Sequence, residues 1–330
     1  MKNKQVLLAS RPRGPVEEAD FRLVEAEVPP VLDGQVLTRV HYLSLDPYMR
    51  GRMEEAKSYA APQPLGAVMI GGTVAEVVES KNPAFKPGDL VVGMAGWQQY
   101  QVTDGTGLRK IDVSAIPASA WLGPVGMPGV TAWYGLTQIG KAKPGETVVV
   151  SSAAGAVGSV VGQLAKLRGC RAVGIAGGKT KCEIVTQEFG FDACIDYKSG
   201  SFKDDFRAAT GNGIDVVFEN VGGMVFDAAL SRMNAFGRIA LCGLIAGYAG
   251  QDIALRNVRS ILVNRLLVQG FIVADHLQLW PQALAELAQH VAAKRIRYRE
   301  SVAQGLENAP RAFIGLLRGE NLGKQLVKLV

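Results

Sequence analysis

Through roughly the first 125 residues, apolar positions come in short alternating or β-branched runs. QVLLAS (5–10), FRLVEAEV (21–28), QVLTRVHYLSL (35–45), GGTVAEVVES (71–80) and DLVVGMAGWQQYQV (89–102) are separated by Pro- and Gly-containing breaks such as PPVLDG and FKPGD. That texture predicts strands joined by turns. No long helix is visible here, so the segment is expected to be a small barrel of antiparallel strands. The pattern changes near GPVGMPGVTAWYGLTQIG (123–140). Beyond it, strand-like runs (ETVVVS, CRAVGIAG, ACIDY, IDVVFEN, GRIALCGL and LLVQGFIV) alternate with helical stretches such as SVVGQLAKLRG and FDAALSRM. Such alternation predicts an α/β domain, a parallel sheet covered by helices. A long helix, HLQLWPQALAELAQHVAAKRI, follows, with Pro281 in or breaking its first turns. The terminal GKQLVKLV alternates again and predicts a strand that returns to the first domain.

One stretch stands out for how little side chain it carries. SSAAGAVGSVVG (151–162) joins the buried strand ETVVVS to the helix SVVGQLAKLRG. Ala153, Gly155 and Gly158 occupy the three places of a G-x-G-x-x-G turn, with alanine in the first. Those places serve the tight turn, the approach of a pyrophosphate to the backbone, and the packing of helix on strand. The helix start and its dipole favour phosphate. A turn kept small only for close packing is the alternative, but the strand, helix and βαβ context that the motif requires are present. At the end of the next strand, RAVGIAGGKTKCE offers Gly177 and Gly178, then Lys179 and Lys181. No carboxylate is placed there to hold a ribose 2′-hydroxyl, and two ammonium groups can meet a 2′-phosphate, which favours NADP(H) over NAD. Lysines are otherwise slightly unfavourable at a helix start.

Composition narrows the class. The 330 residues suggest two domains, and 48% hydrophobic with 20% charged residues is ordinary for a globular chain. The net charge of +6 is scattered, with the densest cluster, AKRIRYRE, short and interrupted by an acid. Nucleic-acid binding is therefore not expected, while an anionic small ligand suits the sign. Cys170, Cys182, Cys194 and Cys242 form neither a disulfide framework nor a CxxC pair. Reduced thiols, no signal peptide and no apolar run of membrane-spanning length predict a cytoplasmic protein with no membrane partner.

The chain resembles the zinc-independent medium-chain dehydrogenases/reductases, within the group of prostaglandin reductases (leukotriene B4 dehydrogenases) and bacterial NADPH-dependent curcumin reductases. The resemblance rests on LDPYMRGRM (45–53), GMPGVTAWYGL (126–136), SAAGAVGSVVGQLAK (152–166), IDYK (195–198), FENVGG (218–223), CGLIAGY (242–248), QGFIV (269–273) and the terminal GENLGKQLVKLV, which run in family order. It implies a GroES-like β-barrel catalytic domain from residues 1–125 together with 302–330. Residues 126–301 would form a Rossmann NADP-binding domain with a doubly wound parallel sheet, and the active site would lie in the cleft. It also implies a cofactor map. Gly155, Ala156, Val157 and Gly158 would line the pyrophosphate, and Lys181 with Tyr197 would meet the 2′-phosphate end. Asn220, Cys242, Gly243, Phe271 and Asn321 would contact ribose or nicotinamide. Met127, Pro128 and Thr131 would border the nicotinamide, with Tyr248 beside it. A homodimer is the family-like assembly.

Zinc chemistry is disfavoured by the ligands themselves. No Cys stands near SLDPYMR, no His-Glu pair near LGAVMIGG, and His41, His276 and His290 are scattered. Without a Lewis acid, reducing an activated alkene is easier than oxidising a plain alcohol. The expected reaction is reduction of the C=C bond of an α,β-unsaturated ketone or aldehyde, a small-molecule conjugated carbonyl. Hydride goes to the β-carbon, and charge develops on the carbonyl oxygen, where a hydrogen-bond donor stabilises the enolate. The resemblance places the substrate-facing tyrosine at Tyr248 as the catalytic donor, assisted by the cofactor ribose hydroxyl, and Tyr48 at the substrate. Family members often carry Asn after that tyrosine; here Ala249 and Gly250 follow. Arg50 and Arg52 read as structural, and Trp97 and Trp133 as core or cleft wall. A quinone reductase and a non-catalytic nucleotide-binding scaffold are the alternative readings.

Overall fold

The structure is a computed structural model that describes residues 1–248 and 250–330; the Ala249 departure noted above lies outside the described residues. The chain divides into two compact units, Met1–Leu122 with Glu300–Val330, and Gly123–Arg299. The first unit opens with strands β1 (Lys2–Leu8), β2 (Phe21–Glu27) and β3 (Val36–Ser44), the short helix α1 (Tyr48–Arg52), and strands β4 (Thr73–Ser80), β5 (Leu90–Gly93), β6 (Tyr100–Thr103) and β7 (Arg109–Lys110). The run 89–102 is thus two strands rather than one, because Gly96 takes a positive φ of 79° and bends the chain between them.

The second unit begins with helix α2 (Met127–Tyr134). It then alternates β8 (Thr147–Ser151), α3 (Gly158–Leu167), β9 (Arg171–Ala176), α4 (Lys179–Gln187), β10 (Ala193–Asp196), α5 (Phe202–Ala209), β11 (Ile214–Glu219), α6 (Gly223–Leu230), β12 (Met233–Leu241), α7 (Arg259–Val263), β13 (Leu267–Gly270) and α8 (Trp280–Ala292). Pro281 sits at the first positions of α8, where its missing N–H costs nothing, and the chain ahead of it leaves helical geometry at His276. The chain then returns to the first unit with β14 (Glu300–Gln304), α9 (Ala309–Leu317) and β15 (Lys324–Lys328).

In the second unit the six strands run parallel in the order β10-β9-β8-β11-β12-β13. Renumbered along the unit, this is 3-2-1-4-5-6, the doubly wound Rossmann order. Central strands are covered on both faces, so Val148, Val149, Val150, Val216, Val217 and Phe218 are fully buried and their sequence is continuously apolar. In the first unit, β1 pairs with β2, and the larger sheet runs β14-β15-β3-β4-β5-β7 with β6 also on β3. The terminal strand β15 lies antiparallel to β3. Its other neighbour, β14, is parallel, which α9 makes possible by crossing over between the two. This mixed sheet with its hairpin is the GroES-like unit. Its core holds Trp97 stacked on Phe21 at 5.2 Å, with Phe313 of α9 edge-on to both rings. No helix among the described residues is long and apolar enough to cross a membrane.

Candidate active site

The strand order reverses between β8 and β11, and open α/β sheets bind ligands at the carboxyl ends of such a pair. A side-chain knot ties those two ends together. Ser151, the last residue of β8, donates its hydroxyl to Glu219 Oε1 at 3.0 Å. The Asn220 amide N–H donates to Ser151 Oγ at 2.7 Å, and Asn220 Nδ2 to the Ser151 carbonyl at 2.8 Å. Glu219 Oε1 also accepts the Val221 and Gly222 amides at 2.6 and 2.7 Å. Its other oxygen, Oε2, is buried and finds no partner among the described residues. Burial outweighs these hydrogen bonds and pushes the Glu219 carboxyl up to about 7.

The amides of Cys242 and Gly243, just past β12, donate to the Glu219 carbonyl at 2.9 and 3.1 Å. The Cys242 thiol is pushed up to about 12 by burial and then by Glu219, so it stands as a neutral thiol. Tyr248 follows a 3-10 turn over Ile245–Gly247, and a Cβ built on Gly243 would lie 3.8 Å from its hydroxyl. Asn220, Cys242, Gly243 and Tyr248 therefore gather at one place, above the strand-order reversal.

The turn after β8 is shaped as its residues suggest. Ser152 adopts a positive φ of 53°, and the Gly155 amide closes the turn on the Ser152 carbonyl at 2.9 Å. A Cβ on Gly158 would stand 2.3 Å from the Ser152 carbonyl oxygen, so only glycine lets α3 start this close to the strand. Gly155, Ala156 and Val157 are partly exposed there. At the start of α3 the Ser159 and Val160 amides donate to the Gly155 and Val157 carbonyls at 3.0 Å each, and the positive end of the helix dipole favours an anion there.

Past β9 the chain turns through Gly177 and Gly178, and the Gly178 amide is fixed by Asp196 Oδ1 at 2.7 Å. The same oxygen takes the Lys198 amide at 2.9 Å. A Cβ on Gly177 would come within 2.8 Å of the Tyr197 ring and 3.1 Å of the Lys198 side chain, so these two lie directly over the glycine. Lys198 Nζ sits 5.9 Å from the centre of the Tyr197 ring. Lys181, in the first turn of α4, is half-buried, and its ammonium is held below the usual lysine range by burial and by the charge of Lys198. Lys179 instead points to solvent, 3.8 Å from Glu183, with an 89% exposed side chain. Lys181, Tyr197 and Lys198 thus form one cationic corner. Lys198 was missed in the sequence, although it closes the quoted IDYK block.

Other expected positions are more dispersed. The Thr131 hydroxyl donates to the Met127 carbonyl at 2.8 Å and so closes the first turn of α2, which carries Pro128. Phe271 lies 5.3 Å from Tyr134 and edge-on to Phe218 at 6.2 Å, and a Cβ on Gly135 would touch it at 2.9 Å. It therefore packs at the far end of α2 from Met127 and Pro128. Trp133 is a core residue, with Nε1 on Glu286 at 2.6 Å, and Trp97 is in the core of the first unit.

Tyr48 and Asn321 belong to the first unit. Tyr48 opens α1, and burial, then Asp46 and Tyr59, raise its phenol further above neutrality, so it keeps its proton. The strand-to-helix corner before it is pinned by Asp46, which takes Lys324 Nζ at 2.6 Å and the Ser44 hydroxyl; Lys324 also donates to the Leu45 carbonyl at 2.6 Å. Arg50 is structural, bound to the Gly14 carbonyl at 2.9 Å and Glu54 at 2.7 Å. Asn321 Nδ2 donates to the Gly323 carbonyl at 2.8 Å.

The fold and the residues at its strand ends define a dinucleotide-binding dehydrogenase or reductase with a GroES-like companion unit. Residues 4–111 match the family model described as the N-terminal domain of oxidoreductase, and residues 156–289 that described as zinc-binding dehydrogenase. The NADPH-dependent curcumin reductase of Escherichia coli (strain K12) is 46% identical, over 99% of this chain and 97% of its own. The NADP(+)-dependent 2-alkenal reductase of Nicotiana tabacum is 41% identical, over 98% and 97%. The crystal structure of CurA in complex with NADPH from Vibrio vulnificus superposes with a TM-score of 0.95 at 45% identity, over 99% of each chain. The chain belongs to the medium-chain dehydrogenases/reductases, in the zinc-independent group of prostaglandin and curcumin reductases. The zinc in the second family description does not fit the donors present. Among the described residues no three His, Cys, Asp or Glu side chains converge. His41 faces Glu76 at 3.2 Å and His276 faces Tyr134 at 2.8 Å.

Proposed function

We propose that the protein is an NADPH-dependent reductase of the C=C bond of α,β-unsaturated ketones and aldehydes. The observation that carries the cofactor choice is Lys198 over Gly177, whose charge adds to burial in holding the Lys181 ammonium below its usual range, with no carboxylate at the end of β9. A 2′-phosphate relieves that repulsion; a bare 2′-hydroxyl does not. Its relatives support both the cofactor and the reaction class, since one is named for NADPH and another for 2-alkenals.

Bound NADPH supplies the hydride. The chain's own residues then do the rest. The turn over Gly155, Ala156, Val157 and Gly158 lines the pyrophosphate, and Lys181 and Tyr197 hold the phosphorylated ribose. Asn220, Cys242, Gly243 and Phe271 contact the ribose or nicotinamide, and Met127, Pro128 and Thr131 border the nicotinamide. Cys242 serves as a small neutral wall, its thiol protonated. Tyr248 donates its phenolic hydrogen bond to the substrate carbonyl oxygen as negative charge gathers there. Tyr48, also protonated, contributes on the substrate side. The proton for the α-carbon comes from water.

The test is consumption of NADPH and of NADH with a simple enone such as 3-nonen-2-one, with product analysis. The expected result is NADPH-selective oxidation and the saturated ketone. An allylic alcohol product, or turnover of quinones alone, refutes the reading; NADPH binding without turnover of either class points to a scaffold. We also assign the assembly as a homodimer through β13. This edge strand is exposed, and Leu262, Val263, Leu267 and Phe236 beside it face solvent. Light scattering reporting a monomer overturns that.

A further inference from the structure

We propose that Cys182 and Cys194 form a redox-active dithiol, a modification site that hydrogen peroxide closes to a disulfide and that thereby weakens cofactor binding at the adjoining cationic corner. Cys182 lies in the first turn of α4, and Cys194 on β10, in register with Gly174 of β9. The two thiols lie close enough to act on each other, and the Ala176 backbone lies within reach of both. Both are free and only partly buried, so a small oxidant can reach them.

The pair is chemically asymmetric. The neighbouring Cys194 lowers the Cys182 thiol and is itself raised, so Cys182 is the one that ionises first. A place in the first turn of a helix favours its thiolate as well. The remaining thiols are poor competitors. Cys170 is buried and donates to the Lys143 carbonyl at 3.2 Å, and Cys242 is held fully protonated.

The chemistry balances in two steps. Cys182 Sγ attacks one peroxide oxygen, the O–O bond breaks, and water leaves with the thiol proton, giving a sulfenic acid. Cys194 Sγ then attacks that sulfur, the S–S bond forms, the S–O bond breaks, and a second water leaves. The two thiols lose two electrons and two protons, and peroxide gains them. A disulfide brings the sulfurs to about 2.0 Å, well inside thiol contact, so the start of α4 is drawn towards β10. That movement reaches the cofactor corner at once. Lys181 is the preceding residue, and the Cys182 amide donates to the Gly178 carbonyl at 3.2 Å. Gly178 and Lys198 both hang on Asp196, two residues past Cys194.

The effect on cofactor rests on the NADPH reading above; the covalent bond does not. The fully reduced protein is treated with hydrogen peroxide, digested without reductant, and mapped by mass spectrometry, while NADPH binding is followed by fluorescence. The expected result is a linked Cys182–Cys194 peptide lacking two hydrogens, a roughly tenfold or greater loss of NADPH affinity, and recovery with a thiol reductant. Cys182→Ser and Cys194→Ser should each abolish the linked peptide and the loss together. Saturating NADPH should slow the oxidation. Separate sulfinic acids with no linked peptide overturn the site, and a linked peptide with unchanged NADPH affinity overturns its regulatory role. Failure of the reduced protein to bind NADPH at all sinks the cofactor reading instead, and leaves the peptide map to decide the dithiol.

Discussion

Glu219→Gln isolates the buried carboxyl under the active site. In the folded protein its pKa is pushed up from 4.5 to about 7. The folded state therefore holds this proton more tightly than the unfolded chain. Its contribution is fully present below the unfolded pKa and is lost as pH rises through the folded one, so stability falls across the window from about 4.5 to about 7. A shift of this size, at about 1.4 kcal/mol per pH unit, makes wild type some ~2–3 kcal/mol less stable at pH 8 than at pH 5 from this group alone. Glutamine keeps an acceptor for Val221, Gly222 and Ser151 but does not titrate. Its amide also replaces Oε2, which has no partner among the described residues, and that costs about 1–3 kcal/mol at every pH. The cost cancels in the comparison that matters. Urea melts of both proteins at pH 5 and pH 8, with hydrogen exchange in β8 and β11 to report on this unit alone, should show the variant gaining ~2–3 kcal/mol on wild type as pH rises. A difference between the two proteins that does not change with pH would refute the buried proton.

Three further outcomes follow from the same geometry. Removing Lys181 with Lys181→Ala deletes a charge-assisted contact of about 1.5–3 kcal/mol, so the KM for NADPH should rise ~10–100-fold while that for NADH stays put; equal losses for both cofactors would count against a 2′-phosphate site. Tyr248→Phe should lower kcat by ~10²-fold at near-constant KM, and an unchanged kcat removes the tyrosine from the oxyanion role. Lys324→Met strands the buried Asp46 carboxylate and should destabilise the first unit by ~3–5 kcal/mol in chemical denaturation, most of it recovered in the Asp46→Asn, Lys324→Met pair. Additive losses in that double variant would refute the coupling.

The fold was legible where periodicity is strong. The central parallel strands of the second unit, β8, β9 and β11, announce themselves by apolar runs, because a strand covered on both faces has no polar side to show. GKQLVKLV was readable as a strand, but the alternation expected of it is absent: Lys324, Gln325, Leu326 and Val327 are all buried in β15. What local pattern does not carry is pairing across distance. That β15 has a parallel neighbour depends on α9 crossing over between them, and that Gly96 splits one apolar run into two strands depends on a backbone angle.

The site divides along the same line. Gly158 could be found in the sequence because its role is local: a Cβ there would strike a carbonyl six residues earlier. Glu219 and Lys198 could not be singled out, since their meaning depends on which strand ends lie side by side. Glu219 matters because Ser151, 68 residues away, stands at the neighbouring strand end. Lys198 matters because the turn after β10 delivers it over Gly177, just past β9. A retrievable signal does exist for both. Once the 3-2-1-4-5-6 order is granted, every charged residue within a few positions of a strand's carboxyl end becomes a candidate, and FEN and DYK satisfy that test. The fold, inferred first from hydrophobic pattern, is thus what turns an unremarked carboxylate and lysine into site residues.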